Sequence, residues 1–95
     1  MDKILIIEGS LIKTNLPEGK TQAEILEMVK KEFGMLKGTV KFFNKDVKIY
    51  GKIPSSISLW LGWKLGRTCN SVSAFDPRTG IYVLVIGENK NGLDK

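Results

Sequence analysis

Residues 51–86 read GKIPSSISLWLGWKLGRTCNSVSAFDPRTGIYVLVI, and this stretch decides the fold. It encodes an apolar helix delivered by a short connection into a tight β-hairpin. Pro54 suits a first helical turn, where its missing N–H has no partner, and Ser55 or Ser56 can cap the free amides beside it. From Ile57 to Leu65 the residues are apolar or small nearly all round, with Lys64 and Arg67 the only charges. No wide solvent face remains, which predicts burial on two sides. Ser58, Gly62 and Gly66 recur every four residues. Glycine in a helix interior costs about 1 kcal/mol relative to alanine, so the spacing predicts that another backbone approaches this side, a subunit contact being one way to bury it. The run falls short of the roughly 20 apolar residues that cross a bilayer.

Asp76-Pro77-Arg78-Thr79-Gly80 has a carboxylate to accept a backbone N–H, a proline to preset φ, and a glycine where a left-handed residue is wanted. Flanked by Ser71–Phe75 and Ile81–Ile86, it reads as a hairpin turn. On those residues alone, Asp76 and Gly80 are turn formers.

Working outward, 95 residues make one domain, 1–95, able to bury roughly 60–65% of its unfolded surface. The net charge of +5 suits an anionic partner and equally suits a solvated surface. The lone Cys69 excludes an internal disulfide, and with no histidine in the chain it reads as a small apolar filler. Met1–Ile7 carries Asp2 and Lys3 and is too short for a signal-peptide core, so the expected location is cytoplasmic, without a membrane partner. Residues 88–95 are polar and are expected to fray.

Ile4–Glu8 and Leu11–Thr14 form a strand pair turned at Gly9-Ser10, and the all-apolar Ile4-Leu5-Ile6-Ile7 predicts a central strand covered on both faces. Thr21 and Glu24 make a capping box for a first helix whose Ile25, Met28, Val29 and Phe33 share one face and which stops near Gly34. Gly38–Phe43 and Val47–Tyr50 read as a second hairpin around Asn44-Lys45-Asp46, with Val40 and Phe42 on one side and Lys41 and Phe43 on the other. Phe43 or Tyr50, if exposed, can stack on a base. The expected order is ββαββαββ: a single α+β domain with a mostly antiparallel sheet and two helices.

Conventional enzyme constellations are absent. Without histidine there is no imidazole base or ligand, and one cysteine makes no thiolate cage. Neither a P-loop nor a Rossmann glycine pattern occurs. Asp46, Asp76 and Glu88 are candidate ligands for a hard cation such as Mg²⁺ or Mn²⁺. Lys52 and Ser55, at the start of the apolar helix, mark a candidate anion site.

The run from Tyr50 to Val85 resembles the second half of a small family of CRISPR-associated proteins from type III systems. The matching residues are Gly51, Lys52, Pro54, the Trp60 region, Asp76, Pro77, Arg78 and Gly80. The resemblance implies binding of cyclic tetraadenylate, the ring-shaped second messenger of type III defence, between subunits of a homodimer or tetramer. It further implies ring cleavage assisted by Mn²⁺, or action on polyadenylated RNA ends. On that reading Asp76 is the catalytic acid position and metal ligand and Arg67 stabilises phosphate charge. Lys52, Lys64 and Arg78 meet the phosphates, Ser55 lies at the helix N-terminus beside Lys52, and Ser71 or Ser73 orients the ribose. The family's histidine before the Asp has no counterpart in Arg67-Thr68-Cys69-Asn70. The alternatives are a non-catalytic sensor or sponge for the messenger and a basic RNA-binding accessory domain.

Overall fold

Glycine at position 9, with φ 62°, closes the first hairpin in two residues, so β1 (Leu5–Glu8) returns directly as β2 (Leu11–Thr14). The structure is a computed structural model that describes residues 3–87; the expected fraying of 88–95 and the candidate ligand Glu88 lie outside them. The order continues α1 (Gln22–Met35), α2 (Gly38–Lys41), β3 (Asp46–Tyr50), α3 (Ser55–Gly66), β4 (Ser71–Asp76) and β5 (Ile81–Gly87). The result is a single small α+β domain.

The sheet is mixed rather than mostly antiparallel. Its spatial order is β1-β2-β3-β4-β5; the two outer pairings are antiparallel, and β2–β3 and β3–β4 are parallel. The cause lies in residues 38–43, expected as a strand. Lys37 adopts φ 53°, Val40 and Lys41 donate to its carbonyl, and Phe42 donates to Gly38, so the chain coils into the short α2. Helical spacing then sends Phe42 into the core and leaves Val40 and Phe43 exposed. A side chain on Gly38 would collide with the Phe33 ring, so that turn sits directly on α1. With no hairpin there, β3 is reached by a crossover, and the order becomes ββααβαββ.

Both crossovers, β2 to β3 and β3 to β4, advance in the same direction across the sheet. Crossovers that share the usual right hand and advance the same way lie on the same face. The core agrees: Ile25, Val29 and Phe33 of α1 and Ile57, Leu61 and Leu65 of α3 are buried with Ile12, Val47, Ile49 and Val72 of the strands. The opposite face carries no helix among the described residues.

The capping box forms as expected: Glu24 N–H donates to the Thr21 hydroxyl at 3.1 Å, and Thr21 N–H to the Glu24 carboxylate at 2.8 Å. Gly34 lies inside the last turn of α1, which ends at Met35. Three other expectations change. β1 is an edge strand, with Ile6 42% exposed on the bare face, because the sheet grows from β2 away from it. Pro54 is itself the cap position of α3, with no side-chain capping bond, while the Ser56 hydroxyl donates to Gln22 Oε1 at 2.7 Å. Finally, α3 is buried on one side only: Leu59 is 74% and Trp63 55% exposed. Among its small residues, Gly62 and Gly66 face Ile86 of β5 within the chain.

Candidate functional site

Strand registers sort the sheet residues by face, since side chains alternate along each strand and hydrogen-bonded partners share a side. One row on the bare face runs Ile6, Lys13, Tyr50, and the next runs Glu8, Leu11, Lys48, Ser73, Leu84. Phe75 and Tyr82 pair on β4 and β5 and extend the first row. Tyr50 and Phe75 lie 4.8 Å apart between ring centroids and Phe75 and Tyr82 5.3 Å, so three adjacent strands present a continuous aromatic line. The Lys48 amino group sits 5.1 Å from the Tyr82 ring centroid, and Lys13 pairs with Glu8 at 3.3 Å.

At the end of this line Tyr50, Gly51, Lys52, Phe75 and Pro77 enclose a hollow of 220 Å³. Its shape depends on Gly51, whose φ of 122° and close approach to the Thr14 hydroxyl leave no room for a side chain. Thr14 also donates to the Lys52 carbonyl at 3.2 Å, holding the loop that carries the Lys52 ammonium. Arg78, 92% exposed, stands on the adjoining turn.

That turn forms as the residues predict. Gly80 takes φ 74°, and its N–H donates to the Asp76 carbonyl at 2.8 Å. The Asp76 carboxylate accepts the Arg78 N–H at 3.0 Å and the Thr79 hydroxyl at 3.1 Å, and lies 3.9 Å from Arg78 Nε. Both oxygens are therefore occupied in shaping the hairpin.

The structure divides the expected site residues into three groups. Lys52, Ser55, Asp76 and Arg78 gather at the rim where β3 and β4 end. Arg67, Lys64 and Ser71 belong to the opposite rim, since α3 runs back along the sheet and Arg67 precedes the start of β4. Six residues of β4 separate Asp76 from that rim, roughly 20 Å. Ser73 lies on the bare face between them. Arg67 and Asp76 therefore do not meet within one chain. Ser71 donates to Asp46 at 2.7 Å and Asn70 to the same oxygen at 2.6 Å, a clamp that fixes the β3–β4 register. Arg67 and Lys64 instead lie 5.3 Å and 5.2 Å from the Trp63 ring.

Asp46 and Asp76 sit at opposite ends of the sheet, so these two candidate cation ligands do not converge within the chain; Glu88 lies outside the described residues, among which no three of His, Cys, Asp and Glu gather. Burial pushes the Cys69 thiol up from its ordinary range, which disfavours a reactive thiolate.

Tyr50 was legible as a candidate stacking residue; Phe75 and Tyr82 were not. Their signal was the period-two alternation Lys48/Tyr50, Ser73/Phe75 and Tyr82/Leu84, which acquires meaning only once the bare face is known. Phe43 lies away from this line, next to Asn44, whose N–H donates to Thr68 at the other rim. Among the described residues, no helix is long and apolar enough to cross a membrane. No protein-family model matches the chain, and neither a curated protein nor a solved structure matches it.

Proposed function

We propose that this chain binds an oligoadenylate on the bare face of its sheet, and that the ligand is the cyclic tetraadenylate of type III CRISPR defence. The observation that carries the reading is the Tyr50–Phe75–Tyr82 line with Lys48 and Lys52 beside it. Aromatic side chains stack on unpaired bases with about 1–3 kcal/mol each, and neighbouring cations take the phosphates. Adenine offers a large stacking surface, and a ring of four phosphates suits the repeated positive charge of two or four copies. An oligomer also gives the divided rims a role, since Arg67 of one copy can approach the Asp76 rim of another.

Binding without cleavage is the reading Asp76 favours. Its carboxylate holds the hairpin, and the Arg67 guanidinium, which donates hydrogen bonds and accepts none, is a poor proton shuttle. Cleavage with Asp76 as base or Mn²⁺ ligand is the second reading, supported by the position of Asp76 beside the Lys52 hollow. Positioning alone can promote attack of a ribose 2′-hydroxyl on its own phosphate.

The test is incubation with radiolabelled cyclic tetraadenylate, with and without Mn²⁺, followed by native and denaturing gels. A shifted band containing intact ring is expected. Linear diadenylate that disappears in Asp76→Ala would replace the binder with an enzyme. Equal competition by linear polyadenylate would favour a general RNA-binding domain, and no shift would sink the proposal.

A further inference from the structure

On the helical side of the sheet, α1, α2 and α3 meet around a second cleft, of 430 Å³, far from the aromatic line and unused by the function proposed above. Lys30, Lys37 and Lys64 line it, Phe33 and Trp60 form its aromatic wall, and no carboxylate lines it. Phe33 and Trp60 pack edge to face at 5.5 Å, and the Lys64 amino group lies 5.8 Å from the Trp60 centroid. Lys30 has Glu27 at 3.4 Å, whereas Lys37 and Lys64 have no carboxylate partner among the described residues.

Two backbone features keep the cleft open and charged. Gly34 has nothing within 4 Å of where a side chain would begin, so the α1 wall is open to an occupant there. Lys37 holds the left-handed conformation, which costs a residue with a side chain roughly 1–2 kcal/mol. Strain of that kind concentrates where a side chain must be held in place for binding.

We infer that this cleft binds a nucleoside phosphate. Its base lies on the Trp60 wall and its phosphates meet Lys37 and Lys64. The chemistry suits the class: ammonium groups with no carboxylate partner favour an anion, the indole wall favours a planar ring, and the volume falls in the range of single small-molecule sites. A bare phosphate would leave the aromatic wall unused, and an uncharged ring would leave the lysines unused.

The chain's two tryptophans, Trp60 and Trp63, both lie on α3, so their fluorescence reports this side of the molecule. The full chain is titrated with ADP, adenosine and inorganic diphosphate. ADP is expected to give a saturable change, with at least tenfold weaker binding of the other two. The double variant Lys37→Gly, Lys64→Gln is expected to weaken ADP binding at least tenfold while its circular dichroism is unchanged, because glycine accepts the left-handed position. Tyr50→Ala, which disrupts the other face, is expected to leave the ADP affinity as it was. No saturable change, equal affinity for diphosphate alone, or full affinity in the lysine double variant would each overturn the inference. So would loss of the ADP response in Tyr50→Ala, which would place the nucleotide on the bare face instead.

Discussion

The two faces of the sheet are built from the same five strands and end in different states. On the helical face Ile12, Val47 and Val72 are sealed beneath α1 and α3. On the bare face Tyr50, Phe75 and Tyr82 stand in line with no helix over them among the described residues, beside Leu84 and Lys48. The difference comes from topology rather than composition. Two parallel crossovers advancing in one direction place every helix on one side, and the other side keeps whatever the alternation puts there. A large apolar residue on the first face stabilises the fold, and one on the second is available to a ligand.

The largest expected contrast is in stability. Leu61→Ala should cost about 3–4 kcal/mol, because Leu61 is fully buried between α3 and the sheet. Leu84→Ala, at a half-exposed position on the bare face, should cost under about 1 kcal/mol. Urea midpoints of the two variants measure this directly, and similar losses would mean that the bare face is covered in solution. Next in size is the converse test on binding. Tyr82→Ala should weaken cyclic tetraadenylate binding by about 1–3 kcal/mol, roughly 5- to 150-fold, with little change in the urea midpoint. A variant that unfolds readily yet binds normally would reverse the roles assigned to the faces.

Smaller effects sharpen the account of the helical layer. Thr21→Ala removes the α1 cap and should cost about 1 kcal/mol in thermal or urea unfolding. The Thr21 backbone N–H holds the Glu24 carboxyl below its usual 4.5. A depressed carboxyl contributes stability above its unfolded-state value and loses it as the pH falls through the folded one. The cap should therefore weaken below about pH 4.5, and Glu24→Gln should flatten that part of the stability profile. The smallest effect is chemical: Cys69, its thiol raised by burial, should react with iodoacetamide near neutral pH more slowly than a free cysteine, as mass spectrometry over time would show.

The parts of the fold legible in the sequence are those closed within a few residues. The Thr21/Glu24 box, the Gly9-Ser10 turn and the Asp76–Gly80 turn each complete their hydrogen bonds locally, so residue type and spacing sufficed. Residues 38–43 misled because Val40, Phe42 and Phe43 favour a strand locally, while contact between Gly38 and Phe33 decided for a helical turn. Glu32 carried no local signal, yet its carboxylate receives the N–H groups of Ile4 at 3.0 Å and Leu5 at 2.9 Å and ties α1 to the sheet edge. The Asp46 clamp on Asn70 and Ser71 likewise joins residues 24 and 25 positions apart.

By itself, then, the sequence determined the α1 cap and the Gly9-Ser10 and Asp76–Gly80 turns, because those follow from short-range geometry. Tertiary structure alone decided that the sheet is mixed, that its helices share one face, that Arg67 and Asp76 lie at opposite rims, and that three aromatic rings from three strands form one line. The physical reason is the same in each case: these features are relations between elements, fixed by the direction in which the chain crosses the sheet, and no window of sequence contains them.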